Sequence, residues 1–108
     1  MTGDVRVTAG VAKVLAAFLH DPASDRYGLD LMNATGMPSG TLYPILARLR
    51  QAGWVRAEWE ILDPEAARPP RRYYRLTAHG VAAARQGVAQ LYQQLGPAVR
   101  PSTKPRPA

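Results

Sequence analysis

The chain contains no cysteine, which excludes disulfides and thiolate metal sites and leaves no redox role visible. It also lacks any apolar run close to the roughly 20 residues that a membrane-spanning helix needs. Acidic residues are missing from one region, because residues 67–108 carry eight Lys and Arg and no Asp or Glu. Residues 1–66 carry six Lys and Arg against eight Asp and Glu, so the net charge of +6 arises entirely in the C-terminal part. A cationic excess concentrated in one part of a chain indicates a polyanionic partner.

Groups suited to catalysis or metal binding are scarce. The two histidines, His20 and His79, are far apart in the sequence. Asp21, Asp25 and Asp30 are spread over different predicted loop and helix faces, and no glycine-rich phosphate loop is present. We therefore expect no enzymatic activity, no metal and no cofactor.

The length of 108 residues fits one domain with a modest core. Residues 1–10 lack the charged-then-apolar pattern of a signal peptide, so we expect a cytoplasmic protein without membrane association. Twelve of the 14 cations are arginine, whose rigid fork suits phosphates and guanine edges. A GC-rich genome explains the same composition equally well.

The segment from Pro38 to Gly53 predicts an amphipathic helix. Its apolar residues recur at helical spacing and would face a core: Leu42, Ile45, Leu46 and Leu49. The opposite face carries small, hydroxyl-bearing and cationic residues: Ser39, Thr41, Tyr43, Ala47, Arg48 and Arg50. Such a face can enter the major groove of DNA, although an ordinary surface helix shows the same pattern. Pro44 lies only about one turn from the helix start, where few backbone hydrogen bonds are lost.

The residues before this segment predict a partner helix. Residues 27–34 predict a short helix, capped by Ser24 or Asp25, and residues 35–38 predict a turn that contains Gly36. Two short helices joined by such a turn form a helix-turn-helix. An earlier helix, with Thr8 as its N-cap, ends at Asp21-Pro22, and its buried face consists of Val11, Val14, Leu15, Phe18 and Leu19.

The segment after it predicts a β-hairpin. Val55, Ala57, Trp59 and Ile61 alternate with polar residues, as in a half-buried strand. Residues 71–76 predict the return strand, with Tyr74 and Leu76 toward the core. The predicted fold is therefore mainly α with a small β-hairpin: a winged helix-turn-helix over residues 1–76.

Thr77 predicts the N-cap of a last helix that ends near Leu95, before Gly96-Pro97. Its apolar positions follow a short heptad pattern and need a partner, either the first helix of the same chain or the same helix of a second chain: Val81, Ala84, Val88, Leu91 and Leu95. Residues 77–96 are thus the predicted dimerisation helix, and Tyr92 is included in its interface. Residues 97–108 predict a flexible, basic, proline-rich tail.

Several of these residues together resemble the PadR family of bacterial transcriptional regulators. They are Tyr27-Gly28, Gly40-Thr41-Leu42-Tyr43-Pro44, Leu46, Arg48-Leu49, Gly53, Trp59, Tyr73-Tyr74-Arg75-Leu76-Thr77 and Gly80. The resemblance spans about residues 8–95 and implies a homodimer that is joined through its last helix, binds a palindromic operator and usually represses. One helix after the wing matches the short form of the family. Some short relatives bind flat aromatic drugs through a Trp on that helix, where this chain has only Tyr92, so a small-molecule effector has no support in the sequence.

The DNA-binding residues expected on these grounds fall into three groups. The helix predicted after Pro38 would be the recognition helix, and its start would hold a phosphate through Ser39, Gly40 and Thr41. Further contacts would come from Tyr43, Pro44 and Arg48, and from Tyr27, which matches a family position facing the DNA backbone. Burial of Tyr27 against the first helix is the alternative. The wing would follow the adjacent minor groove or its phosphates through Arg68, Arg71 and Arg72.

A second function class fits the same pattern. A winged helix can also serve as a non-enzymatic protein-interaction module whose hairpin docks on an acidic partner. That alternative predicts little affinity for duplex DNA and no steep salt dependence, whereas a DNA-binding regulator shows both.

Overall fold

The computed structural model describes residues 5–95. Within that range the chain forms four helices and three short strands. The helices are α1 (Ala9–Leu19), α2 (Gly28–Thr35), α3 (Ser39–Gln51) and α4 (Ala78–Leu95), and the strands are β1 (Arg26–Tyr27), β2 (Val55–Trp59) and β3 (Arg72–Leu76). The predicted tail, residues 97–108, lies outside the described residues.

The core lies where α1, α3 and α4 meet the inner face of the sheet. α1 contributes four buried residues and α3 contributes Leu42, Ile45, Leu46 and Leu49, so the predicted apolar faces of both helices are confirmed. Thr8 caps α1 as predicted, because its hydroxyl oxygen accepts a hydrogen bond of 3.3 Å from the Val11 N–H. Burial of these apolar faces is what holds the short helices together.

The start of α2 differs from the prediction of a Ser24 or Asp25 cap. Arg26 and Tyr27 pair with Tyr74 and Tyr73 of β3, so the chain stays extended up to Tyr27 and the helix begins at Gly28. The Asp30 carboxylate accepts a hydrogen bond of 3.2 Å from the Tyr27 N–H at this helix start. A two-residue strand has too little periodicity to be read from sequence.

The turn between α2 and α3 is set by a glycine. Gly36 has a φ of 74°, in the left-handed region that glycine adopts without strain, and its N–H donates to the Met32 carbonyl at 2.8 Å. α3 then runs without interruption through Pro44. Pro44 has no N–H to donate to the Gly40 carbonyl. Because Gly40 and Pro44 are both exposed, water can hydrogen-bond to this carbonyl instead.

The sheet is antiparallel in the order β1-β3-β2. Tyr74 and Leu76 are buried on its inner face, as predicted. The prediction for Trp59 and Ile61 is wrong, because β2 ends at Trp59, the Trp59 side chain is 59% exposed and Ile61 is fully exposed. The alternation of apolar and polar residues in the sequence thus continues beyond the part of the hairpin that contributes to the core.

Thr77 caps α4 as predicted and also fastens it to the preceding turn. Its hydroxyl donates to the Gly53 carbonyl at 2.6 Å and accepts from the Gly80 N–H at 2.9 Å. Gly80 lies so close to Trp54 that an added Cβ would be 1.9 Å from the Trp54 carbonyl oxygen. α4 therefore joins the same core as the hairpin and α1.

Candidate nucleic-acid interface

The outer face of α3 is open to solvent along its whole length. Burial of the apolar face leaves the predicted contact residues exposed: Ser39, Gly40, Thr41, Tyr43, Pro44 and Arg48. Arg48 and Arg50 in the last turn of this 13-residue helix match the negative end of its dipole. The N-terminal turn, with Ser39, Gly40 and Thr41, carries no acidic residue, so its positive end can attract an anion. The face is thus available to a ligand and carries no carboxylate.

The exposed residues of α3 divide into two flanks. Thr41 and Arg48 are seven residues apart and share one flank, while Tyr43 and Arg50 share the other. Arg48 follows Tyr43 by five residues, which is about 140° around the helix, so these two predicted contact residues lie on different flanks. Tyr43 and Arg50 face the wing, and Arg50 is the functional candidate that sequence reasoning left out of its site.

A cleft of about 190 Å³ separates this second flank from β3. Its lining consists of Tyr43, Leu46, Ala47, Arg50, Arg72 and Tyr74. Burial is the main cause that raises the pKa of Tyr74, and the charges of Arg72 and Arg50 act in the opposite direction. Two guanidiniums therefore act on one buried phenol at this cleft.

Tyr43 also has a packing role. A Cβ built on Gly28 would lie 2.0 Å from the Tyr43 hydroxyl oxygen, so any larger residue at the start of α2 requires the Tyr43 ring to shift. The Tyr43 side chain is 42% exposed, which leaves part of its ring open for a ligand. The pairing of Tyr43 with Gly28 accounts for two of the residues on which the family resemblance rests.

The three wing arginines of the prediction do not form one cluster. Arg72 lines the cleft, and its guanidinium lies 5.6 Å from the centre of the Trp59 ring. Arg68 and Arg71 instead contact Glu60, with nitrogen–oxygen distances of 2.7 and 3.6 Å. The structure therefore separates Arg72 from the other two arginines.

Glu60 is the centre of the second group and was missed by sequence reasoning. Besides the Arg68 ion pair, its carboxylate accepts hydrogen bonds from the Arg71 N–H at 2.9 Å and the Tyr27 hydroxyl at 2.8 Å. The hydrogen bond from Arg68, followed by that from the Arg71 N–H, lowers the pKa of Glu60 to about 2. Nothing in the sequence distinguishes Glu60 from Glu58, which pairs with Arg56 at 3.5 Å.

Tyr27 belongs to the same group. Its hydrogen bond to Glu60 is the largest cause that raises its pKa, and the Arg71 guanidinium lies 4.8 Å from its ring centre. Tyr27 is half-buried, and its side chain contacts Glu60, Tyr73 and Arg71 of the hairpin. The Tyr27 hydroxyl thus helps to hold the loop between β2 and β3 that carries Arg68.

The residues predicted for a dimer interface differ in accessibility. Ala84 is wrong as an interface residue, because it is fully buried in its own chain. Val81 and Val88 pack against the same core, so the nearer part of the heptad pattern is satisfied within the chain. Leu91 is half-buried, and Tyr92 and Leu95 are 37% and 47% exposed.

Residues 5–95 contain neither a metal-binding cluster nor a membrane-spanning helix. No group of three or more His, Asp and Glu side chains in this range could hold a metal ion. None of the helices there is both long and apolar enough to span a bilayer.

The arrangement of α2, the Gly36 turn and α3, followed by the β2–β3 hairpin, defines a winged helix-turn-helix protein. The chain matches the Transcriptional regulator PadR-like family over residues 19–86, which is more than half of its length. It therefore belongs to this family of transcriptional regulators, which are in general not enzymes.

Solved structures agree with this assignment. A PadR-like transcription factor from Bacteroides fragilis is 26% identical, with a TM-score of 0.60 over 83% of this chain and 87% of that one. A PadR family regulator from Eggerthella lenta is 25% identical, with a TM-score of 0.63 over 81% of this chain and 79% of that one. BpsR of Bordetella bronchiseptica, whose DNA binding is regulated by 6-hydroxynicotinic acid, shares the fold at 22% identity and a TM-score of 0.62, over 93% of this chain and 73% of that one. No curated protein sequence matches the chain.

Proposed function

We propose that the chain is a sequence-specific repressor that binds duplex DNA as a homodimer on a palindromic operator. The observation that carries the proposal is the exposed face of α3, which bears hydroxyls and arginines, beside a hairpin whose Arg72 faces the same cleft. A helix of this width fits the major groove, and a wing beside it meets the neighbouring backbone. Family membership supports DNA-binding regulation in general.

Each group of predicted residues has a role in this proposal. The N-terminus of α3, at Ser39, Gly40 and Thr41, would hold a phosphate and read the nearest base edge. Arg48 would reach a guanine edge or phosphate on the Thr41 flank. Arg68 and Arg71, held by Glu60 in the free protein, would exchange this carboxylate for phosphate.

Dimerisation would use the distal part of α4, where Tyr92 and Leu95 are exposed and Leu91 is half-buried. Two copies related by a two-fold axis would present two α3 helices to successive major grooves, about 34–36 Å apart. An inverted repeat with half-sites about one helical turn apart follows from that geometry.

The decisive experiment is selection of bound duplexes from a random pool, followed by sequencing. We expect enrichment of one inverted repeat and binding that weakens steeply as salt rises. Recovery of sequences without a common motif would contradict the proposal of sequence-specific binding.

The protein-interaction module remains a second candidate because Trp59 and Ile61 place exposed apolar surface on the wing. That function predicts weak binding to every duplex, with no difference between the selected sequence and a scrambled one. If the affinity for the selected duplex exceeds the affinity for the scrambled duplex at physiological salt, the result supports the DNA-binding regulator.

A further inference from the structure

The cleft between α3 and β3 combines positive charge with a shortage of acceptors. Arg50 on α3 and Arg72 on β3 both line it, and no carboxylate is among the lining residues. Among residues 5–95, the ion pairs engage Arg56, Arg68, Arg71 and Arg75, so neither cleft arginine has an acidic partner there. Two like charges at one opening repel each other unless an anion lies between them.

Arg72 has hydrogen-bonding capacity that the described part of the chain does not use. Its Nε atom is shielded from solvent and has no hydrogen-bond partner within residues 5–95. The Trp59 ring beneath the guanidinium holds it in place at 5.6 Å without supplying an acceptor oxygen. A positioned guanidinium that lacks acceptors is suited to an incoming oxyanion.

The position of the cleft indicates which anion it takes. It lies between the two elements of the proposed function that approach DNA, the outer face of α3 and the hairpin, and its volume of about 190 Å³ has room for a phosphate group. With α3 in the major groove and the hairpin on the neighbouring backbone, the sugar–phosphate strand between them would run past this cleft.

We propose that the cleft is a binding site for one phosphate of the DNA backbone, held between the guanidiniums of Arg50 and Arg72. This inference rests on the proposed function and adds a site and a residue, Arg50, to it. Contact from both elements to one phosphate fixes the angle of α3 in the groove, so the site sets the register of the helix on DNA.

The test measures affinity by fluorescence anisotropy with the duplex recovered from selection, for Arg50→Ala, Arg72→Ala and both together. Each single change is expected to lower affinity about tenfold and to reduce the salt slope by about one. The double variant is expected to lose less than the product of the two single losses, because both side chains act on the same phosphate.

Arg56→Ala is the matched control. It removes the same charge from the same hairpin, but Arg56 is exposed, pairs with Glu58 and does not line the cleft. We expect its affinity to stay within about twofold of the unchanged protein, as for an exposed charge pair. Arg50→Lys keeps the charge but loses the two-pronged guanidinium, so an affinity between those of the unchanged protein and Arg50→Ala supports the phosphate site. Thermal unfolding of each variant shows that it is folded.

A modified duplex identifies the phosphate. One phosphate at a time is replaced by a neutral methylphosphonate. We expect one position whose replacement weakens binding by the unchanged protein but not binding by the Arg50→Ala variant.

If the unchanged protein binds the duplex and Arg50→Ala behaves like Arg56→Ala, the cleft proposal is overturned while the proposed function stands. If no duplex binds, the proposed function fails first. Shifts of the Tyr43 and Ala47 amide signals on addition of inorganic phosphate alone would then assign the cleft to a free anion and overturn the DNA source.

Discussion

At the residue scale, two glycines on helices have opposite surroundings. Gly80 lies against the Trp54 backbone, whereas a Cβ on Gly40 would meet nothing within 4 Å. Helix propensity alone predicts that alanine stabilises both positions. Local packing reverses this at Gly80, because backbone atoms cannot move aside as the end of a side chain can.

We expect Gly80→Ala to lower the free energy of unfolding by more than about 1 kcal/mol. Gly40→Ala is the control and is expected to leave it unchanged or to raise it by up to about 1 kcal/mol. Urea denaturation measures both. Equal effects of the two changes would show that the close approach of Gly80 to Trp54 does not exist in solution.

Glu60 gives a prediction about pH. Its pKa falls from an ordinary value of 4.5 to about 2 in the folded chain, mainly through the hydrogen bond from Arg68. A group with a lowered folded pKa contributes stability that is present above its unfolded pKa and is lost as pH falls through its folded pKa. This contribution should therefore disappear between about pH 4.5 and pH 2.

The comparison that isolates it is urea denaturation of Glu60→Gln against the unchanged protein at pH 7 and pH 3. We expect the stability of the variant to depend less on pH across this range. Glu58→Gln, which removes an exposed carboxylate with a single 3.5 Å partner, is the matched control. A pH dependence identical in both variants would contradict the central role of Glu60.

At the scale of elements, the sequence predicted every long helix and the hairpin because each has a buried face at regular spacing. Leu42, Ile45, Leu46 and Leu49 place α3 correctly, and Thr77 places the start of α4. β1 was missed because two residues are too few to show a period-two pattern. The predicted burial of Trp59 was wrong because the spacing of apolar residues does not show where a core ends.

The candidate site, too, could be predicted from the sequence only in part. Periodicity identified the outer face of α3, but it could not show that Arg72 and Arg68 lie in different groups. That outcome depends on contacts of Arg72 with Trp59 and of Arg68 with Glu60. Arg50 was assigned to this face, but only its seven-residue spacing from Tyr43 could have shown that the two share one flank.

The α3 face gives the prediction at this scale. Thr41→Ala is expected to lower affinity for the selected duplex while leaving affinity for scrambled DNA nearly unchanged, because a hydroxyl near a base edge acts on one sequence. Thr41 is exposed, so stability should change little. Asn33→Ala, an exposed polar change on α2, is the control in the same gel-shift assay. Equal loss on both duplexes would remove Thr41 from base recognition.

At the scale of the whole molecule, the burial of α4 changes along its length. Its first half belongs to the core through Ala84, and its second half carries the apolar surface of Leu91 and Leu95. The heptad pattern in the sequence merged these halves, since both continue the same spacing. Only the second half remains for a second copy of the chain.

We expect Leu91→Glu to yield monomers in light scattering, because a carboxylate at an apolar interface must be desolvated without a partner. Leu95→Glu, at a more exposed position, should act in the same direction with less risk to the fold. Ala82→Glu places the same charge on the opposite, exposed face of α4 and should leave the oligomeric state unchanged. Dimers that persist in both leucine variants would move the interface elsewhere.

The central claim is that the outer face of α3 and the hairpin beside it bind duplex DNA. The most direct measurement is a set of amide proton–nitrogen spectra recorded as the selected duplex is added. The largest changes are expected at residues 39–51 and at the hairpin, with small changes on α1. Changes concentrated on α1, or none at α3, would contradict the account.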